Sequence, residues 1–265
     1  MVADIEGCHN IGVKSEEYST MFEVEDAHWW HMGHRRLYAS LLDRYCPQAS
    51  RARVLDAGCG TGGLTQWFSE NFHPSSLHGI EISEDALAYC RKRGLEGVRC
   101  CSVEDIPFPD GSFDLVMCLN VLYHREVAND LDALREIARV LAPGGYLLLN
   151  LPALRFLRGK HDQAVEGVRR YRAGELKRLL SEVRLEPVRI TYFNFFLLPA
   201  LAIHRLLGRK RYEDDARSDL WLPPRPVNRA LESLLALESR LAACRLIPIG
   251  SSLTALARKP LRLLP

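Results

Sequence analysis

Val54-Leu55-Asp56-Ala57-Gly58-Cys59-Gly60-Thr61-Gly62-Gly63 is the stretch on which the fold of this 265-residue chain turns. A short apolar strand over 53–55 ends on an acidic residue and breaks into a turn with glycine at alternate positions; a helix is expected directly after it. Glycines at 58, 60 and 62 admit positive φ and let a ligand approach the backbone closely, which a Cβ would prevent. An α/β protein grips a nucleotide-like molecule in this way at the carboxyl end of its first strand. The spacing here is G-x-G-x-G, whereas the dinucleotide fingerprint is G-x-G-x-x-G. That argues against a nicotinamide-dependent enzyme on the same architecture.

Outward from this loop, strand and helix patterns alternate. Segments 53–57, 77–82, 97–101, 113–118 and 146–151 read as strands, and 62–71, 83–93, 127–141 and 173–182 as helices. Alternation of this kind predicts a mostly parallel sheet with helices on both faces. Upstream, residues 18–46 show helical apolar spacing rich in aromatics, and 1–17 read as a loose tail. Downstream of Pro152 a basic, loop-like stretch leads to the helix at 173–182. A strand over 185–192, an apolar segment over 193–207, a polar Pro-rich loop over 209–226, a helix over 227–244 and a last strand over 252–258 follow. The expected organisation is a flexible tail (1–17), an N-terminal helical cap (18–46), and one catalytic domain (47–265) with a substrate-side elaboration at 153–245.

Composition narrows the function classes. A hydrophobic fraction of 47% and a charged fraction of 26% predict a packed core rather than disorder. A net charge of +2 gives no global reason to bind nucleic acid. Arg-rich stretches at 155–178 and 205–217 read as solvated helix faces. None of the eight cysteines forms a C-x-x-C pair, and no His cluster has zinc-ligand spacing, so no metal is expected. Free thiols in a reducing compartment follow, and with them a cytoplasmic location. The acidic first residues lack an apolar leader, and the longest apolar run, 195–203, is far short of the roughly 20 residues of a membrane span.

Four landmarks follow the glycine loop. Glu81 ends the second strand, where a carboxylate can accept from both hydroxyls of a ribose. Ser102-Val103-Glu104-Asp105-Ile106-Pro107-Phe108 follows the third strand. Phe113-Asp114-Leu115-Val116-Met117-Cys118-Leu119-Asn120 is the fourth and runs into Val121-Leu122-Tyr123-His124. Arg139-Val140-Leu141-Ala142-Pro143-Gly144-Gly145 stops a helix before the fifth strand. This ordered set resembles the class I S-adenosylmethionine (SAM)-dependent methyltransferases.

The resemblance implies a Rossmann-like seven-stranded, mostly parallel sheet with an antiparallel last strand, and SAM as cofactor with S-adenosylhomocysteine as product. It also implies roles. Asp56, Ala57, Gly58, Cys59, Gly60 and Gly62 would hold the methionine part, Glu81 the ribose hydroxyls, and Ile82, Ser102 and Val103 the adenine. Many relatives have Asp where this chain has Ser102, and a Ser hydroxyl accepts more weakly. Asn120 and His124 would lie beside the sulfonium.

Further pieces resemble a bacterial subgroup: Glu25-Asp26-Ala27-His28-Trp29-Trp30, His161-Asp162, Arg169-Arg170-Tyr171, and Ile249-Gly250-Ser251-Ser252. His28, Trp29, Trp30, Asp162, Arg169, Arg170 and Tyr171 are the expected substrate-side residues, an internal salt bridge being the alternative for the arginines. The subgroup often has a His two residues before the Arg-Arg pair; Gly167 stands there in this chain. His124 and His161 are the candidate general bases.

The expected reaction is in-line methyl transfer to an O, N or C nucleophile of a small, partly apolar acceptor. The alternative keeps the SAM site without methyl transfer, as in a cyclase, an isomerase or a non-catalytic subunit. The aromatic run 192–201 reads as core, as a substrate wall or as a peripheral contact with a bilayer; membrane insertion is not expected.

Overall fold

The computed structural model describes residues 15–158, 162, 166–208, 221–244 and 247–261. Seven strands form one sheet: β1 (Arg53–Ala57), β2 (Ser76–Glu81), β3 (Val98–Cys100), β4 (Phe113–Leu119), β5 (Leu141–Pro152), β6 (Glu186–Phe193) and β7 (Ser252–Arg258). Their order is β3-β2-β1-β4-β5-β7-β6. Only β7 runs against the others, antiparallel to both β5 and β6. This is the expected mostly parallel sheet with an antiparallel last strand. Strand order reverses at β1, between β2 and β4, and a doubly wound sheet opens a ligand crevice at the carboxyl edge of such a point.

Residues alternate between the two faces of each strand, and the core divides accordingly. On one face, Leu55, Val116, Leu147, Leu149 and Ala255 pack with Leu134 and Ile137 of one helix and Leu176 and Leu180 of another. These helices are Asp130–Val140 and Ala173–Glu182. On the other, Val54, Leu115, Met117, Leu148 and Leu256 pack with Leu37, Leu41 and Leu42, with Phe68, and with Leu235 and Ala242. The helices there are Trp29–Tyr45, Gly63–Phe72 and Arg225–Cys244. Numbered in chain order, the helices are α1 (Ser15–Val24), α2 (Trp29–Tyr45), α3 (Gly63–Phe72), α4 (Glu84–Lys92), α5 (Asp130–Val140), α6 (Ala173–Glu182), α7 (Leu198–Gly208) and α8 (Arg225–Cys244).

The helical cap expected over 18–46 is two helices. The chain turns after Val24, and α2 restarts with His28 as its N-cap, whose Nδ1 accepts from the Trp30 N–H at 3.3 Å. A side-chain acceptor at that position satisfies a donor that the helix itself cannot. Helix α1 begins at Ser15, two residues before the expected end of the tail, and Glu16 and Glu17 in its first turn suit the positive end of the helix dipole. Helix α2 belongs to the core, because its buried residues recur at helical spacing against the sheet and α8.

Cys46, Cys59, Cys90, Cys101, Cys118 and Cys244 are free thiols. Cys100 departs from the expectation of free thiols throughout. It ends the edge strand β3, covered by a neighbouring strand on one side only, and is disulfide-bonded. Among the described residues, no helix is long and apolar enough to cross a membrane.

Candidate active site

A cavity of about 490 Å³ lies over the carboxyl edge of the sheet, within the ordinary size of small-molecule sites. Its floor follows the strand ends. Gly58, Cys59 and Gly60 come after β1, Glu81 and Ile82 from β2, Ser102 and Val103 after β3, Asn120 and His124 after β4, and Pro152 from β5. Tyr18 and Met21 of α1, the turn at Glu25, and His28, Trp29, Trp30 and His34 complete the wall from the N-terminal side.

The glycine loop is built as its sequence requires. Gly58 has φ +87°, and a Cβ there would come within 2.3 Å of Val121 Cγ2. Gly60 has φ +55°, and an added Cβ would meet nothing within 4 Å; the space it faces is the cavity. Glu81 crosses beneath this loop. Its carboxylate accepts from the backbone N–H groups of Gly60 (3.0 Å), Ile82 (2.9 Å) and Ser83 (3.0 Å). Burial raises its pKa, and these three donors pull it back. A carboxylate has about four acceptor positions, so capacity remains for a ligand hydroxyl. A bare glycine ledge beside a buried carboxylate fits the amino-acid and ribose parts of SAM.

Asp56, at the end of β1, is buried with Oδ2 accepting from Thr65 Oγ1 at 2.6 Å. Burial, then the negative charges of Glu81 and Glu25, push its pKa up to about 7, against the Thr65 hydrogen bond. The folded state therefore holds this proton more tightly than the unfolded chain, and the associated stability falls as pH rises from about 4 to about 7. Asp56→Asn is expected to flatten that part of the stability profile. The variant should match wild type near pH 4 and gain on it by about 2 kcal/mol or more at pH 8 in denaturant melts. A constant difference across the range would contradict it.

An ion-pair network, buried at Glu25 and Arg93 and open to solvent at Asp26, joins the N-terminal turn to the loop. Glu25 Oε1 accepts from Thr61 Oγ1 and from Arg93 Nη2 at 2.9 Å. Arg93 also donates to the Thr61 carbonyl (3.1 Å) and to Asp26 (2.8 Å), and its guanidinium lies 4.7 Å from the Phe22 ring centre. Asp26 is further paired with Arg35 at 2.9 Å.

After β4, His124 Nε2 lies 3.1 Å from the Asn120 carbonyl. A carbonyl only accepts, so Nε2 carries the proton and Nδ1 is the basic nitrogen. Asn120 takes φ +59°, a conformation asparagine tolerates. A polar ladder orients it: Thr254 Oγ1 donates to Asn150 Oδ1 (2.7 Å), and Asn150 Nδ2 donates to Asn120 Oδ1 (2.9 Å). Asn150 and Thr254 interrupt apolar strand runs, the one signal of this ladder in the sequence.

Most of the sequence-expected residues converge here, with exceptions. Ala57 is buried within β1, and a Cβ at Gly62 would point at Leu95 and Cys90, beneath the loop. Ser102 lines the cavity while its Oγ accepts from the Glu104 N–H at 3.1 Å. Arg169 and Tyr171 do not line the cavity. The Arg169 guanidinium donates to the carbonyls of Leu122, His124, Val127 and Ala128 (2.8–3.2 Å), and the Tyr171 hydroxyl reaches Leu122 O and Asp130. Both are spent on the loop that carries His124, whose open carbonyls need donors. Arg170 and Asp162 line the cavity but form a two-bond fork with each other at 2.9–3.0 Å, the internal pair of the alternative reading. His28 caps α2, and burial lowers its pKa to about 4 against a hydrogen bond with the Trp221 backbone. His161 lies outside the described residues.

Tyr18, Glu25, His34, Ser251 and Ser252 also line the cavity, with no site role expected from sequence; Asn194, Leu197 and Leu201 line it from the 192–201 run, one reading of which is a substrate wall. Among the described residues, no group of three or more His, Cys, Asp or Glu could hold a metal ion.

Residues 55–149 match the family model of a methyltransferase domain. They form a methyltransferase domain. A fatty-acid O-methyltransferase of Mycolicibacterium smegmatis is 43% identical over 105 residues, covering 36% of this chain and 35% of that protein. A phthiotriol/phenolphthiotriol dimycocerosates methyltransferase of Mycobacterium tuberculosis is 38% identical over 117 residues, 42% of each chain. The chain thus spans well under half the length of these curated relatives. Among solved structures, a SAM-dependent methyltransferase of Thermotoga maritima superposes with a TM-score of 0.58 at 19% identity, covering 92% of this chain and 95% of that one. The [4+2]-cyclase SpnF gives 0.56 at 22% identity, covering 86% and 81%. These two likenesses extend the methyltransferase-domain fold to nearly the whole chain.

Proposed function

We propose that this protein transfers a methyl group from SAM to an O, N or C nucleophile of a small, largely apolar acceptor. One observation carries the reading: a single cavity is lined both by the glycine ledge with Glu81 and by the apolar side chains of Leu157, Leu197 and Leu201. The lipid acceptors in the names of the two mycobacterial relatives fit those side chains.

SAM supplies an electrophilic methyl. Gly58 to Gly60, Glu81, Ile82, Ser102 and Val103 bind the cofactor, while Trp29, Trp30 and Tyr18 exclude water. Holding the nucleophile in line is the main source of rate in such a displacement. His124 Nδ1 accepts the proton of a hydroxyl or amine nucleophile, in a tautomer fixed by the Asn120 carbonyl.

Calorimetric titration with SAM and S-adenosylhomocysteine tests cofactor binding. Mass-spectrometric detection of S-adenosylhomocysteine formed with a panel of fatty acids and hydroxylated lipids tests transfer. Cofactor binding without product from any acceptor would favour the reading in which methyl does not move. Once an acceptor is in hand, His124→Gln is expected to lower turnover by about 100-fold or more, with SAM affinity nearly unchanged. Unaltered turnover would remove His124 as the base.

A further inference from the structure

Four polar side chains meet at the cavity wall away from the glycine loop: His34 of α2, Asn194 after β6, and Ser251 and Ser252 at the start of β7. Strand register fixes where they stand. Ser252 lies opposite Pro152 on one side and Phe193 on the other. Strand β7 is two strands from β4, so at about 4.8 Å per strand the cluster sits roughly 10 Å across the sheet edge from Asn120.

Hydrogen-bond accounting fixes what the cluster can offer. His34 Nδ1 lies 2.9 Å from the Trp30 carbonyl, so Nδ1 carries the proton. Burial lowers the pKa of His34 to about 4, against that same bond, leaving the ring neutral with Nε2 as an acceptor. Ser252 Oγ, 3.3 Å away, must then donate to Nε2. Its proton spent, Ser252 Oγ can only accept from Asn194, which orients the amide with Nδ2 toward Ser252 (3.3 Å) and Ser251 (3.2 Å). Asn194 Oδ1 therefore faces the other way; it is buried and accepts no hydrogen bond. Ser251 Oγ accepts from Asn194 and keeps its own proton to donate.

An acceptor without a donor beside a hydroxyl with a proton to give is the complement of a group that both donates and accepts. A carboxylate only accepts and would face the Asn194 oxygen lone pairs. The arginines that line the cavity are already paired, Arg35 with Asp26 and Arg170 with Asp162. Asn194 also holds φ +64° between two phenylalanines, a left-handed position whose polar side chain is turned inward.

We infer that His34, Ser251, Ser252 and Asn194 form a recognition subsite for an uncharged hydroxyl of the acceptor, about 10 Å from the atom that receives the methyl. The acceptor is then bifunctional, with a nucleophile beside Asn120 and His124 and a hydroxyl handle over β6 and β7. The inference rests on the methyltransferase reading only in calling this ligand the acceptor.

The test uses 1-decanol and decanoate as probes, read by quenching of the cavity tryptophans with S-adenosylhomocysteine bound and again without it, at a pH well above the carboxyl pKa. Wild type is expected to bind 1-decanol at least about tenfold more tightly than decanoate. Asn194→Gly removes the amide while suiting the positive φ, and Ser251→Ala removes the donor; each is expected to abolish most of that preference without changing the calorimetric affinity for S-adenosylhomocysteine. A wild-type preference below about tenfold, or a preference that survives both variants, would overturn the subsite. Failure of wild type to bind S-adenosylhomocysteine would instead count against the methyltransferase reading, and the alcohol preference measured without it would still decide the subsite.

Discussion

Glu81→Ala is expected to weaken SAM binding by about 100-fold or more in calorimetric titration. A hydrogen bond to a charged group contributes about 1.5–3 kcal/mol, and a carboxylate serving the ribose hydroxyls makes one or two. Alanine also leaves the N–H groups of Gly60, Ile82 and Ser83 without their common acceptor, so the glycine ledge loses the strut beneath it. Glu81→Gln separates the two effects. Its amide oxygen can still accept, while its NH₂ faces a backbone donor, and a loss of about tenfold is expected. Circular dichroism and a thermal melt show whether either variant is merely unfolded. An affinity unchanged in a folded Glu81→Ala protein would place the cofactor elsewhere.

The second large effect is on stability. Arg93→Ala removes the partner of Glu25 where both side chains are below 10% exposed, at 8% and 7%. Breaking a buried pair costs about 3–5 kcal/mol, because the remaining charge is left uncompensated. For a chain of this size the melting temperature should fall by about 10 °C. The damage should concentrate at one seam: Arg93 ties the Thr61 carbonyl, the Glu25–Asp26 turn and Phe22 together. Hydrogen exchange in α1 and in residues 58–62 should therefore rise before that of the core strands. Pairing Arg93→Met with Glu25→Gln should recover at least about half of the lost stability, since removing both charges together is far less costly. A double variant no better than the single one would mean that the ion pair is not what holds this seam.

The fold and the cofactor half of the cavity were legible because their signals are local. Glycines at 58, 60 and 62 and a carboxylate closing the second strand act through backbone freedom and through residues adjacent in sequence. The β3-β2-β1-β4 arrangement then carries Gly60, Glu81 and Ser102 to one edge without further specification. For the Arg169-Arg170-Tyr171 run the resemblance leaves two readings open, a substrate-side role and an internal salt bridge. Its actual partners are carbonyls of residues 122–128 and the carboxylate of Asp162, and an arginine's donors look the same in sequence whichever acceptor lies nearby. The division of residues 18–46 was equally hidden: the His28 cap depends on a turn, not on apolar periodicity.

The acceptor half shows the same limit more sharply. Asn194, Ser251, Ser252 and His34 are far apart in the chain and carry no spacing motif. They meet because β7 inserts antiparallel between β5 and β6 and because α2 packs on the sheet face, with the His34 ring against Phe193. The sequence by itself determined the sheet, the glycine ledge and the carboxylate beneath it, because strand periodicity and glycine conformation are properties of neighbouring residues. Only the tertiary structure decided which cations were already paired, which tautomer His34 and His124 hold and which amide oxygen was left without a donor, because hydrogen-bond partners are set by distances across the fold.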